Sequence, residues 1–293
     1  MSPAADDDPA GLVEQLVTLL QLERLDTDLY RGNRQPGGIG RVFGGQVIAQ
    51  ALQAAQASTP DKVAHSLHAY FMRPGSEDYG IVFKVERDFD GRSFATRRVI
   101  ATQNAEPILS LTASFQRPEE GLHHQAEMPD VAPPEGLISD RDIRARFLDA
   151  IPEPARNFFM RVRPVELRPV EPRDWLNPSP RAPFQHVWFR AAGQLPDDPA
   201  MHRAALAYAS DLVLLGASML PHGVHWLTHP MQVASLDHAL WLHEPFRFDD
   251  WLLYSVESPW SGHARGFNHG QIFARDGRLV ASVAQEGLIR MRG

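Results

Sequence analysis

Two strands and two turns of this 293-residue chain occur twice, in register and without a gap. Pro74 and Gly91 each stand 171 positions ahead of Pro245 and Gly262. At that offset Phe83-Lys84-Val85-Glu86 falls on Tyr254-Ser255-Val256-Glu257, and PILSLTAS (107–114) falls on RLVASVAQ (278–285). The Asn104–Glu106 turn falls on Arg275–Gly277. Upstream, Ser66-Leu67-His68-Ala69 resembles Ser235-Leu236-Asp237-His238-Ala239 once one insertion is allowed. A repeat on this scale means one structural unit used twice.

The content of the unit follows from periodicity. Leu12, Leu16, Leu19, Leu20 and Leu25 recur at helical intervals and predict an amphipathic opening helix. Glycine-rich QPGGIGRVFGG (35–45) leads into a helix of small and apolar residues from 47 to 58. Runs 80–88, 93–103 and 107–115 read as strands, joined at Asp90-Gly91 and Asn104-Ala105, so an antiparallel meander is expected after the helix. From 117 to 185 the chain is proline-rich and reads as a crossing that contributes a strand over 158–167. A strand at 186–193, a second apolar helix over 201–220 and a second meander follow.

A helix with no polar face wide enough for water has to be buried, and an antiparallel sheet wrapped around it does so. Two such units in one chain pair like the subunits of a dimer. The expected class is therefore α+β, a tandem (double) hotdog with two antiparallel sheets, each wrapped around a central apolar helix. We place the N-terminal hotdog at 1–118, a linker at 119–156 and the C-terminal hotdog at 157–293.

Composition narrows function by exclusion. The chain is 43% hydrophobic and 22% charged, with a net charge of −7, a balance that argues against nucleic-acid and membrane-surface partners. It has no cysteine, so disulfides, thiolate nucleophiles and Cys–zinc sites are excluded. The acidic start MSPAADDDPAG does not read as a signal peptide, and no stretch is read as a membrane span, which makes a cytoplasmic location the expectation. No G-x-S-x-G and no phosphate-binding P-loop occur, and His222, His225 and His229 lack the H-E-x-x-H pattern, so no metal and no cofactor are expected.

One residue breaks the apolar pattern. YASDLVLLGASML (208–220) carries a single carboxylate, Asp211, expected to share a helix face with Ala204, Ala207, Tyr208, Leu214 and Leu215. Burying an isolated charge is expensive, so Asp211 needs partners or chemistry. From the residues alone, a structural Asp satisfied by backbone N–H groups or an Arg and a catalytic Asp stand even. Gln285 continues the odd-numbered face of Leu279, Ala281 and Val283, where a surface amide at a strand end is the simpler reading. Ser235 reads as an ordinary strand serine, Gly44 and Gly45 as turn glycines, and His65 and His68 as strand histidines.

Taken together, VFGGQVIAQAL, HSLHAYFMRPG, RPVE, YASDL, LDHALWLHEPF, WLLYSVES, ARGF and ASVAQEGLIR resemble the acyl-CoA thioesterase II (TesB-type) family over about 16–292. The resemblance implies a double hotdog that hydrolyses fatty acyl-CoA to fatty acid and CoA without a covalent acyl-enzyme. It carries the family's Asp, Thr and Gln onto Asp211, Ser235 and Gln285, which would hold the attacking water. Serine at 235 departs from the family threonine; it keeps the hydroxyl but lacks the methyl that stiffens the rotamer, a difference that bears on rate. Gly44 and Gly45 become candidates for an oxyanion donor across the pseudo-dimer interface, with His65 a polar substrate-binding neighbour. At offset 171 Gln285 faces Ser114, and the first-half helix carries no acid, so one site per chain is expected. The family's habit of further association implies a homo-oligomer. Rival classes are a non-catalytic acyl-CoA-binding module and an acyl-CoA hydratase or dehydratase, the latter needing a His paired with an acid on the central helix, which neither helix offers.

Overall fold

The computed structural model describes residues 8–35, 40–151 and 153–292. The acidic start up to residue 7 and the glycines of 36–39 lie outside the described residues. In chain order the elements are α1 (Pro9–Leu20), β1 (Leu22–Asp26), β2 (Leu29–Gly32), α2 (Gly44–Ala57), β3 (Val63–Phe71), β4 (Ile81–Asp90), β5 (Phe94–Gln103) and β6 (Glu106–Gln116). The crossing holds α3 (Asp140–Ala145) and α4 (Glu153–Met160). It is followed by β7 (Val165–Pro169), β8 (Phe184–Ala191), α5 (Pro199–Ser210), β9 (Met231–Ser235), β10 (Asp237–Leu242), β11 (Leu252–Gly262), β12 (Arg265–Ala274) and β13 (Leu279–Met291).

The sheet order is β1-β2-β4-β5-β6-β3-β10-β13-β12-β11-β8-β7, with β9 added on β13. Read from the middle outwards, the two halves mirror each other, so the duplication extends to β1–β2 and β7–β8, where the sequence shows no repeat. The fold is the double hotdog. The two expected sheets are in fact continuous, because β3 and β10 pair antiparallel at the junction, Leu67 opposite Leu240. Each half is also more than a meander: β4, β5 and β6 are sequential neighbours, while β3 docks on the far side of β6. The tight turn at Asn104-Ala105 has positive φ at both residues (49° and 63°), the geometry that matches strand twist in a two-residue hairpin.

Helices α2 and α5 lie inside the curved sheet, and their apolar residues belong to one core cluster that also takes in Phe83, Phe115, Phe189 and Tyr254. The stretch Pro199–His222 is 24 residues long and contains an 18-residue window of mean hydropathy 1.4, enough by length and composition to cross a membrane, contrary to the expectation above. Here it is the core filling of a sheet, and it is not one helix. Asp198 caps α5 by accepting from the Ala200 N–H (2.9 Å), and Pro199 occupies the first turn. The α-helix then stops at Ser210, Asp211 is its C-cap, and a 3₁₀ segment runs over Leu214–His222. The acceptors that continuation would need are taken by side chains: Ser210 Oγ donates to the Ala207 carbonyl (3.0 Å) and Tyr254 to the Ser210 carbonyl (3.2 Å), while Gln185 Nε2 donates further on to the Val213 carbonyl (2.6 Å).

The strand expected over 158–167 is shorter. Residues up to Met160 are helical and the strand begins at Val165, after Pro164. Buried Arg144 donates to the Phe159 carbonyl (2.5 Å) and the Arg161 carbonyl (3.3 Å), taking acceptors that a strand ladder would need.

Candidate active site

The two central helices run against each other, and the N-terminus of α2 meets the C-terminus of α5. The approach is close enough to require glycine. A Cβ on Gly45 would lie 2.2 Å from the Tyr208 carbonyl oxygen, and one on Gly44 would lie 2.7 Å from Asp211 Oδ2. Asp211 therefore sits where the positive end of α2 faces it, and the Gly45 N–H donates to its carboxylate.

Two further donors converge on the same carboxylate. Ser235, the last residue of β9, donates its hydroxyl to Oδ1 at 3.0 Å. Gln285 of β13 donates its amide to Oδ1 at 2.6 Å. The odd-numbered face of β13 does point inward, and Gln285 is 1% exposed. Burial pushes the Asp211 carboxyl above its ordinary range, and the bonds from Gln285, Ser235 and Gly45 pull in the opposite direction. The structure thus brings Asp211, Ser235, Gln285, Gly44 and Gly45 to one place.

Asp211, Ser235, Gly44 and Tyr208 line a cavity of about 690 Å³ with apolar walls that include Phe71 and Val47. Arg41, Arg73, Arg163 and Arg173 line the same cavity. Gln285 stands behind the carboxylate, outside the wall. His65 is not brought to the cavity: its Nε2 lies 2.8 Å from Ser114 Oγ and its ring meets the edge of Phe94. The reason is register: β3 and β6 pair Ser66 with Ser114, and His65, at the irregularity between Ala64 and Ser66, is held within the first half. At the C-terminus of α2, the position corresponding to Asp211 is Ser58. The guanidinium of Arg97 fills that place, donating to Ser58 Oγ (2.8 Å) and Asp90 Oδ1 (2.6 Å). One constellation forms among the described residues, at one end of the helix pair.

Sequence reasoning missed the polar groups behind Gln285. His238 and Ser210 are both fully buried, and Tyr254 donates to the Ser210 carbonyl at 3.2 Å. The sequence offers only a histidine beside Asp237 at the start of an apolar run, Ala239–Leu242. His225, one of the three histidines without the H-E-x-x-H pattern, stacks on Trp175 with centroids 5.5 Å apart.

Comparison with known proteins places this geometry. The family model described as acyl-CoA thioesterase matches residues 154–288, and that of the acyl-CoA thioesterase N-terminal domain matches 33–116. Acyl-CoA thioesterase 2 of Haemophilus influenzae is 39% identical over 96% of this chain and 99% of its own. Human acyl-coenzyme A thioesterase 8 is 40% identical over 98% of this chain and 92% of its own. The crystal structure of an acyl-CoA thioesterase II, TesB2, from Mycobacterium marinum superposes with a TM-score of 0.77 at 43% identity, covering 95% of this chain and 99% of that one. The fold and these relatives define the class, a double-hotdog thioester hydrolase. The chain belongs to the acyl-CoA thioesterase II family.

Proposed function

We propose that the protein hydrolyses acyl-CoA thioesters by direct attack of a water activated at Asp211. The observation that carries this reading is a buried carboxylate at a cavity wall with three donors converging on it. A carboxylate held ionised by such donors, with its pKa raised by burial, is a competent general base, a contribution of about 10²–10⁴-fold. Ser235 Oγ, already donating to Asp211, keeps lone pairs for one hydrogen of the water and so orients it. Gln285 spends its nitrogen on the carboxylate, which makes it a positioning residue acting through Asp211 rather than a direct ligand of the water.

The water oxygen forms a bond to the thioester carbon as its proton passes to Asp211. The carbonyl becomes an oxyanion, for which the Gly44 N–H at the α2 N-terminus is the donor we assign. Collapse breaks the C–S bond, and Asp211 returns the proton to the departing CoA sulfur. The apolar walls suit an acyl chain, and the cavity arginines suit the CoA phosphates. Free-thiol release from acyl-CoAs of several chain lengths tests the reading, comparing wild type with Asp211→Ala. No release by wild type would end it, and undiminished release by the variant would remove Asp211 from the reaction.

A further inference from the structure

Behind Gln285 a chain of buried polar groups leads back to the helix that carries Asp211. Gln285 Nε2 lies 3.1 Å from His238 Nδ1, His238 Nε2 lies 2.9 Å from Ser210 Oγ, and Ser210 Oγ lies 3.0 Å from the Ala207 carbonyl. The hydrogens along this chain can be assigned by elimination. An amide nitrogen only donates, so His238 Nδ1 has to accept, which puts the proton of the neutral ring on Nε2. Ser210 Oγ then accepts from Nε2–H, and its single hydrogen goes to the Ala207 carbonyl. Every group has one available role, and the chain closes on the last turn of α5.

We propose that His238 is a positioning residue for the hydrolysis, acting by fixing which end of the Gln285 amide faces Asp211. This rests on the reading of Asp211 as the base that Gln285 orients. Gln285 has two nitrogen hydrogens, one for Asp211 Oδ1 and one for His238 Nδ1. If the amide turned over, its oxygen would face both the carboxylate and the imine nitrogen, two acceptors. His238 thereby makes the turned-over state costly even when Asp211 is protonated, so the carboxylate regains its donor after each proton transfer. The ring stays neutral, because burial lowers its pKa to about 3. Ser210 Oγ accepts from Nε2–H of this tautomer and completes the chain.

The test uses side chains that copy one half of the imidazole each. His238→Asn places an oxygen near the Nδ1 position and keeps the acceptor, whereas His238→Gln reaches toward Ser210 and presents no acceptor at Nδ1. We expect His238→Gln to lower kcat by about 10–100-fold, the loss of one charge-assisted bond at the base, with KM within about twofold. His238→Asn should retain most of that rate. Gln285→Ala should fall as far as His238→Gln, and the double variant no further, because both remove one interaction. Equal losses for Asn and Gln, or additive losses in the double variant, would overturn the proposal. A rate unchanged in Gln285→Ala would instead overturn the underlying reading of the site. Independently of any variant's folding, nitrogen NMR of the wild-type protein labelled at histidine should show one buried ring protonated at Nε2 and bare at Nδ1. A ring at this position protonated at Nδ1 would refute the assignment.

Discussion

Asp211 carries the most consequential single charge. Its carboxyl is raised above the 3.8 of a free aspartate, chiefly by burial. Its buried neighbours Tyr208 and Tyr254, with phenols raised by burial, and His238, lowered to about 3, stay neutral through the working range. Activity should therefore rise with pH through one ionisation above 3.8, that of the base, visible as the acid limb of a kcat/KM profile. Stability moves the other way. Between 3.8 and the raised value the folded state binds more protons than the unfolded state, so this group's contribution falls as pH rises through that window. Asp211→Asn should abolish most activity, and its melting temperature relative to wild type should climb between pH 4 and pH 8. A flat difference would show that Asp211 is not desolvated. At Ser235, replacement by Ala removes one bond to the carboxylate and should cost about tenfold in kcat, whereas Ser235→Thr keeps the hydroxyl, stiffens its rotamer and should match or exceed wild type.

The helix ends matter more than the helices. At the end of α5 the Ser210 hydroxyl and Tyr254 engage the Ala207 and Ser210 carbonyls, and the stop at Ser210 lets Asp211 turn into the cavity as a cap. Helix α2 begins at Gly44 because a helix with side chains there could not approach. Gly45→Ala should accordingly be costly. Its methyl meets backbone at 2.2 Å, so the two helix ends have to separate, at about 1–3 kcal/mol or more. Urea unfolding should show a lower midpoint with an unchanged slope, and kcat should fall because the same separation breaks the Gly45 bond to Asp211. A variant as stable and active as wild type would show that the two ends do not need this contact.

The molecule as a whole behaves as one unit by construction. The sheet is continuous through β3 and β10, and α2 and α5 share one core. All six tryptophans, from Trp175 to Trp260, lie in the second half. Tryptophan fluorescence therefore reports the second half alone, while far-ultraviolet circular dichroism reports both. We expect the two denaturation curves to coincide, since neither half can lose its helix without exposing the other. Separate midpoints would mean that the junction is weaker than its pairing implies.

Much of this was legible in the linear chain. The repeat at 171 required two copies of one unit, the all-apolar helices required sheets around them, and the lone acid at 211 marked where the copies differ. Strand alternation puts Gln285 on one face with Ala281 and Val283, although the residues alone favour a surface amide there. These signals are local, because periodicity and turn chemistry operate within a few residues. What folding alone decided lies in contacts between distant segments: the joining of two sheets into one, the C-cap position of Asp211, and the absence of His65 from the site. The buried relay from Gln285 through His238 to Ser210 belongs to the same class. Tyr254 bonds the last carbonyl of a helix 44 residues away, and Gln285 reaches an acid 74 residues away. Such pairings depend on how the halves dock, and docking geometry leaves no periodic trace in the chain.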